Sequence, residues 1–143
     1  MNTTAKEFLK RYEETSKRVL RLEREYNDEC MLIDAIRSTS DNDGMPHSSR
    51  ISKPTEEKAI RLSEKAAKLV AAKLKAVAVR QEVFDVIDSV GGLPGEVLYW
   101  RYIKLLRWEE VCVEVHKSWN VTHGYHRDGL QIVEEILSRR GLV

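Results

Sequence analysis

Hydrophobic positions in the first part of the chain recur mostly in alternating steps of four and three residues. No Gly or Pro occurs between Thr4 and Arg37, so one uninterrupted helix can span this segment. Thr4, with Glu7 three residues later, fits a capping box at its start. Most other positions are Lys, Arg or Glu, and the 4–3 spacing is that of a coiled-coil seam. The predicted seam consists of Phe8, Tyr12, Thr15, Val19, Leu22, Tyr26, Cys30, Ile33 and Ile36.

A second long helix is predicted from Thr55 to about Ser89. Thr55 suits the N-cap position, and Glu56 and Glu57 follow in the first turn, where acidic groups are favoured. The sequence GGLPG at Gly91–Gly95 ends the helix. The same 4–3 spacing predicts a seam that consists of Ile60, Ser63, Ala67, Val70, Leu74, Val77, Gln81 and Phe84.

Residues 38–54 separate the two helices and contain Gly44, Pro46, Pro54 and five Ser. This composition predicts a mobile loop. Two helices of about 35 residues, each roughly 50 Å long, joined by one loop, predict an antiparallel coiled-coil hairpin over residues 1–90. Its seams also hold Tyr, Thr, Cys, Ser and Gln, so we expect a second hairpin to pair with it in a homodimer. The alternative is a monomeric hairpin that folds onto its own C-terminal part.

Three shorter helices are predicted near the C-terminus, over Gly95–Leu105, Trp108–Val115 and Ser118 to about Ser138. Two short helices joined by a tight turn, with a longer third helix, form the helix-turn-helix pattern. We therefore expect an all-α protein in which the hairpin precedes a small helix-turn-helix module of residues 91–143. Such a small unit buries a small share of its surface, so large aromatic side chains must supply its core. These are Trp100, Tyr102, Trp108 and Tyr125.

Composition narrows the possible partners and compartments only a little. The net charge of +1 gives no overall attraction to nucleic acid or to a membrane surface. Cys30 and Cys112 lie far apart and no CxxC occurs, which favours a reducing cytoplasm over a disulfide framework. No apolar run has the length of a signal peptide or a membrane span. We therefore expect a cytoplasmic protein without a membrane partner.

The C-terminal module resembles the last helical region, region 4, of bacterial sigma factors. It is more similar still to small phage proteins, the ArpU- and RinA-like late-gene transcriptional regulators, which also place a coiled-coil segment before a sigma-like module. The resemblance covers about residues 94–138, and the hairpin shares only its architecture and Met45-Pro46. The matching residues are Arg101-Tyr102, Trp108-Glu109-Glu110-Val111, Ser118, His123, His126 and Leu130-Gln131.

The resemblance implies a phage or prophage transcription regulator that acts in the cytoplasm of the bacterial host cell. Its module would bind double-stranded promoter DNA or contact RNA polymerase, and the hairpin would join two copies of the chain in a dimer. The alternative is a non-enzymatic coiled-coil scaffold, or protein-interaction protein, whose C-terminal bundle docks a protein such as RNA polymerase and never contacts DNA.

The expected DNA surface is the start of the third helix and the turn before it, a stretch without any acidic residue. Asn120 can pair with adenine, and Lys117 and Arg127 can take phosphates. Gly124 allows close approach of a sugar-phosphate edge, although Gly124 and Gly129 can also mark a frayed helix. The expected site residues are Lys117, Ser118, Trp119, Asn120, Val121, His123, Gly124, His126 and Arg127.

Three histidines give this surface further expected properties. His116 stands in the turn, where it tolerates a positive φ better than most residues do. His123 and His126 are expected on the outer face of the helix. Their protonation near pH 6 would add positive charge beside phosphates, so DNA binding should strengthen between about pH 8 and pH 6.

Metal binding and catalysis are weaker interpretations of the same residues. Cys112 and His116 are four residues apart with His123 and His126 nearby, but no second Cys accompanies them. Glu109 and Glu110 point roughly 100° apart on a helix and cannot face each other across a substrate. GGLPG lacks the Lys and Ser or Thr of a phosphate-binding loop. We therefore expect no metal, no cofactor and no enzymatic activity.

Overall fold

Residues 2–41 and 53–141 are described by the computed structural model, and their regular structure is helical throughout. The helices are α1 (Asn2–Asp41), α2 (Lys53–Val90), α3 (Gly92–Leu98), α4 (Trp108–Val115) and α5 (Trp119–Arg139), with a π-helical turn at Tyr99–Ile103 directly after α3. The predicted all-α class is therefore confirmed. Both long helices extend further into the predicted loop than expected, and the remainder of that loop lies outside the described residues.

The chain divides by its contacts into two compact units that do not follow the expected division at residue 90. Unit 1 contains residues 1–16 and 75–143, and unit 2 contains residues 17–74. Both long helices therefore contribute one end to the unit that holds the helix-turn-helix module. The module does not close a core on its own.

The core of unit 1 joins the start of α1 and the end of α2 to the C-terminal helices. Ala5 and Leu9 are completely buried in it, although the sequence pattern placed neither in the seam of α1. Its other buried members are Val79, Val83, Val86, Ile87, Leu98, Tyr102, Ile103, Leu130, Val133 and Leu137. A smaller cluster of Val97, Val111 and Val115 is covered by Trp100, Leu106, Trp108 and Tyr125. The predicted aromatic contribution to the module's core is thus confirmed.

The first helix of the module differs from its predicted bounds at both ends. Gly91 and Gly92 have φ values of 66° and 60°, a left-handed conformation that glycine adopts without steric cost. These two residues separate α2 from the next helix, and α3 begins at Gly92 rather than at Gly95. Towards the other end, the amide of Lys104 donates to the carbonyl of Tyr99 at 3.1 Å. This wider turn replaces the predicted helical continuation to Leu105.

In unit 2, ion pairs show that the two helical segments run antiparallel. The Lys65 ammonium lies 3.2 Å from the carboxylate of Glu29 and 3.5 Å from that of Glu25. The Lys73 ammonium lies 3.6 Å from Glu23, so rising numbers on α2 meet falling numbers on α1. Within this unit the structure agrees with the predicted antiparallel pairing of the two helices.

The predicted seam of α2 is wrong except at Phe84, which packs against the core of unit 1, because its other members are exposed. Ile60, Val70 and Leu74 are 58%, 57% and 67% exposed, whereas Leu69 and Ala72 are the buried residues of α2 in unit 2. The inner series runs two positions after the outer one, which is about 200° around a helix. Both series have coiled-coil spacing, so periodicity alone could not decide which of them meets α1. The inner series contains small residues such as Ala72, which have a weaker hydrophobic signal than the Ile, Val and Leu of the outer one.

The seam predicted for α1 is half-buried over most of its length. Val19, Leu22, Tyr26 and Ile33 all have intermediate exposure in unit 2, as expected for positions that face a neighbouring helix. Ile36, the last predicted member, is 44% exposed. Within unit 2 the spacing therefore identified the inner face of α1 correctly, in contrast to α2.

The two glycines of α5 have different environments, although neither ends the helix. α5 runs without interruption from Trp119 to Arg139, so the alternative of a frayed helix is wrong. A Cβ at Gly129 would lie 2.9 Å from Cδ1 of Leu98 and 3.3 Å from the carbonyl oxygen of Pro94, whereas a Cβ at Gly124 would meet no atom within 4 Å. Gly129 is therefore required for the close packing of α3 on α5.

Replacing these glycines by alanine should change stability in opposite directions. Gly129→Ala should lower the free energy of unfolding by about 1–3 kcal/mol, because Leu98 is completely buried and cannot move aside freely. The matched control Gly124→Ala should raise it by up to about 1 kcal/mol, because alanine favours helix and the space is open. Urea unfolding followed by circular dichroism measures both. Equal effects of the two substitutions would contradict the close contact at Gly129.

Candidate nucleic-acid interface

The turn between α4 and α5 is built on a left-handed residue. His116 has φ 57° and ψ 42°, so the expectation that it tolerates positive φ at this position is confirmed. The amide of Lys117 donates to the carbonyl of Cys112 at 3.2 Å and closes the end of α4. Only His116 and Lys117 then separate α4 from the Ser118 cap of α5. The left-handed conformation of His116 thus sets the short spacing between α4 and α5.

Ser118 begins α5 as the sequence predicted. Its hydroxyl oxygen accepts a hydrogen bond from the amide of Val121 at 3.4 Å, and its carbonyl accepts from the amide of Thr122 at 2.9 Å. The residues around this cap that were predicted to be on the surface are exposed. They are Lys117, Ser118, Trp119, Asn120, Val121 and Arg127. The capped first turn therefore presents amide, cationic and apolar groups to solvent.

His126 is not part of this surface, which corrects the prediction. It is 6% exposed, and its Nε2 lies 2.8 Å from the hydroxyl of Tyr102. Burial lowers the pKa of His126 to about 4, with smaller contributions from Lys6, His123 and Arg101. Burial likewise raises the pKa of Tyr102 to about 12. The hydrogen bond between the Tyr102 hydroxyl and the uncharged imidazole ties the π-helical turn to α5.

The expected strengthening of DNA binding near pH 6 depended on the protonation of two histidines, and His126 does not contribute to it. His126 is uncharged at that pH because its pKa is about 4. The error lay in assigning His126 to the surface by its polarity, without regard to the apolar residues that follow it on the same side of the helix. Leu130 and Val133, one and two turns further along α5, face the same core, and this spacing was the signal that His126 points inwards.

A stack of rings beside the first turn of α5 was missed by the sequence analysis. The His123 ring contacts both Trp119 and Trp108, with ring centroids 4.4 Å and 4.3 Å away. His123 Nδ1 donates to the carbonyl oxygen of Trp119 at 2.9 Å, and the guanidinium of Arg101 lies 5.0 Å from the Trp108 ring centre. The i, i+4 spacing of Trp119 and His123 was the available signal. The stack fixes the orientation of Trp119, of which 49% remains exposed.

Charge is distributed unevenly over the two helices of the motif. Lys117 and Arg127 are exposed on or next to α5. On α4, Glu109 and Glu114 are exposed, while Glu110 is bound to Arg107 at 2.9 Å. The turn and the first half of α5 therefore carry exposed cations without an exposed acid until Asp128, which follows Arg127, whereas the exposed side of α4 is acidic.

Within residues 2–41 and 53–141, no three His, Cys, Asp or Glu side chains are grouped to hold a metal ion. The same part of the chain contains no helix that combines the length and hydropathy needed to span a membrane. Comparison of the chain with protein-family models, with curated proteins and with solved structures found no match in any of the three. The functional interpretation therefore rests on the residues and geometry of the module.

The buried His126 should make stability depend on pH. The unfolded chain binds a proton at this histidine below about pH 6.5, whereas the folded chain does so only below about pH 4. The free energy of unfolding should therefore fall as the pH is lowered from about 6.5 to 4, by up to roughly 3 kcal/mol from this group. Urea unfolding at a series of pH values measures the slope.

His126→Gln should remove this part of the slope, because glutamine does not titrate. His116→Asn is the matched control: it removes an exposed histidine, asparagine also tolerates the left-handed conformation, and the drop in stability should persist. A slope unchanged by His126→Gln would contradict a buried, uncharged His126.

Proposed function

We propose that the protein is a phage or prophage DNA-binding transcription regulator that uses α4 and α5 as a sigma-like helix-turn-helix. The observation that carries the proposal is the turn itself. A left-handed His116 closes α4, Ser118 caps α5, and the first turn of α5 is exposed. This is the arrangement in which a recognition helix presents its N-terminal residues to the major groove.

The exposed groups match the chemistry of a DNA groove. The Asn120 amide can bond adenine through its donor and its acceptor at the same time. Lys117 lies just before the helix, and Arg127 lies eight residues after Trp119, roughly 12 Å along the axis. Cations at these two positions can bind phosphates on either side of the bases that α5 contacts.

The ring stack supports the same proposal because it holds an exposed aromatic side chain in place. Trp119 is the first residue of α5 and rests on His123, which rests in turn on Trp108. An oriented indole offers an apolar surface to thymine methyl groups or to sugars, and it loses little side-chain entropy on binding. Val121 adds a smaller exposed apolar group on the same turn.

A homodimer formed through the hairpin is part of the proposal. A dimer carries two recognition helices and can bind two half-sites on one face of the DNA. Two modest interfaces that act together give a far higher affinity than either alone. The gain in affinity is important because a chain with a net charge of +1 has only a weak nonspecific electrostatic attraction to DNA.

A second candidate function is docking of the module on a protein such as RNA polymerase. Val113 is 69% exposed on α4, and the acidic Glu109 and Glu114 share that helix. An exposed apolar residue with acidic neighbours suits a basic protein surface better than it suits phosphates. In this alternative Trp119 would be an aromatic anchor in a protein interface.

The DNA proposal is tested with duplex DNA enriched on the full-length protein from a randomised pool. Fluorescence anisotropy at several salt concentrations should show that Lys117→Ala and Arg127→Ala weaken binding and each lower the salt slope by about one. Asn120→Ala should cost roughly 1–3 kcal/mol on the preferred sequence and little on others. Arg140→Ala, at the other end of α5, is the matched control and should leave the slope unchanged.

If the alanine substitutions of Lys117, Asn120 and Arg127 leave DNA affinity unchanged, α5 is excluded as the recognition helix. If Trp119→Ala and Val113→Asp then also abolished binding to purified RNA polymerase, the protein-docking function would replace the proposed one. Loss of DNA affinity in the Lys117 and Arg127 variants, with polymerase binding unchanged, would support DNA recognition.

A further inference from the structure

An open cavity of about 570 Å³ lies where α2 ends and α3 begins. Its walls come from the last turns of α2, from α3 and from the start of the π-helical turn, all of which belong to unit 1. Gly91 and Gly92 line it as well, and a Cβ at Gly91 would meet no atom within 4 Å. The link between the two helices therefore adds no side chain that would fill the cavity.

Three half-buried aromatic side chains form much of the apolar wall. Phe84 of α2 packs edge to face against Tyr99, with ring centroids 6.3 Å apart, and Tyr99 meets Trp100 in the same way at 5.3 Å. The face of an aromatic ring attracts cations, and the ammonium of Lys104 already lies 5.9 Å from the centre of the Tyr99 ring. The wall thus offers apolar contact area together with an electrostatic preference for cations.

Two carboxylates complete the lining of this cavity. Asp88 of α2 and Glu96 of α3 both line it, and both are exposed. Among the described residues neither carboxylate has an ion-pair or hydrogen-bond partner. The described residues of the lining also include no Lys, Arg or His. The wall therefore carries negative charge that no cation of the wall compensates.

The C-terminal end of α2 adds to this negative potential. A helix carries a partial negative charge at its C-terminus, where basic side chains are favourable and acidic ones are unfavourable. The last turn of α2 contains no basic residue, and Asp88 lies only two residues before Val90, where the helix ends. Asp88 is thus unfavourable for the helix that carries it, as residues of binding sites often are. A cation in the cavity would interact favourably with both Asp88 and the helix end.

We propose that this cavity binds an arginine or lysine side chain from a basic segment of a partner protein. The apolar stem of that side chain packs against Phe84 and Tyr99, and its charged head is attracted by Asp88 and Glu96. The carboxylate side of the cavity is exposed to solvent, which suits a side chain that projects from a polypeptide. Small molecules are instead usually enclosed by their sites.

The cavity is separate from the candidate nucleic-acid interface. None of the residues from Lys117 to Arg127 lines it. The inference therefore goes beyond the proposed function, and it stands or falls independently of DNA recognition.

The site is tested with peptides enriched on the full-length protein from a randomised peptide library, without DNA. Every enriched peptide should contain arginine or lysine. Replacing the bound arginine by citrulline, or the bound lysine by norleucine, keeps the stem and removes the charge, and it should weaken binding by about tenfold. Fluorescence anisotropy of the labelled peptide measures the affinity.

Substitutions in the protein locate the bound peptide. Asp88→Asn and Glu96→Gln should each weaken binding by about threefold, as expected for an exposed charge pair. Asp85→Asn is the matched control, because it removes the same charge from the same end of α2. Asp85 accepts a hydrogen bond from Gln81 at 2.7 Å and does not line the cavity, so the affinity should stay nearly unchanged.

Two further measurements separate binding from folding. Asp88→Asn should not lower the free energy of unfolding, because an acidic residue is unfavourable at the C-terminus of a helix. Urea unfolding followed by circular dichroism checks this. Lys104→Gln should strengthen peptide binding by about twofold, because it removes a positive charge that lies beside Tyr99 and repels the incoming cation.

Several results would overturn the inference. They are a library that yields no bound peptide, peptides enriched without a basic residue, and affinities that Asp88→Asn and Glu96→Gln leave unchanged. Sedimentation equilibrium of the protein alone tests a second copy of the chain as the occupant. Self-association that Asp88→Asn abolishes would assign the cavity to that copy and overturn the proposed partner, whereas self-association that is insensitive to Asp88→Asn would support it.

Discussion

The close contact between Leu98 and Gly129 is the constraint on which the C-terminal module depends. The space for a Cβ at Gly129 is taken by Leu98, which is itself completely buried. α3 can therefore approach the backbone of α5, and this approach fixes where α5 lies in unit 1. Leu130, Val133 and Leu137 then reach the shared core with Ala5 and Leu9. The candidate surface on α5 is consequently supported by the ends of both long helices and not only by its own short module.

The hydrogen bond between Tyr102 and His126 is a second contact that positions α5 and with it the candidate site. It holds the π-helical turn against the middle of α5, with Trp108 packed 4.7 Å from the His126 ring. Trp108 also supports His123, and His123 supports the exposed Trp119. A continuous set of ring contacts therefore connects the buried interior to the first residue of the proposed recognition helix. In the proposed function, preorganisation of this kind would lower the entropy that is lost on DNA binding.

Residues governed by local chemistry could be predicted from the sequence, and residues governed by tertiary packing could not. The bounds of α4, the left-handed His116 and the Ser118 cap follow from short-range preferences and are confirmed. His126 was misplaced because an imidazole suits water and a buried hydrogen bond equally well. The outer series of α2 was taken for the inner one because two faces of one helix share the same period. Which face meets α1 depends on contacts that no single helix encodes.

The central claim is that the first turn of α5 contacts DNA. Amide chemical-shift mapping of the full-length protein with the enriched duplex tests it most directly, since every backbone amide reports separately. The account predicts that shifts concentrate at residues 117–121 and at Arg127, with small changes at His126 and none at Arg140. Shifts confined to α4 around Val113, or spread evenly over the lysines of α2, would contradict α5 as the recognition helix.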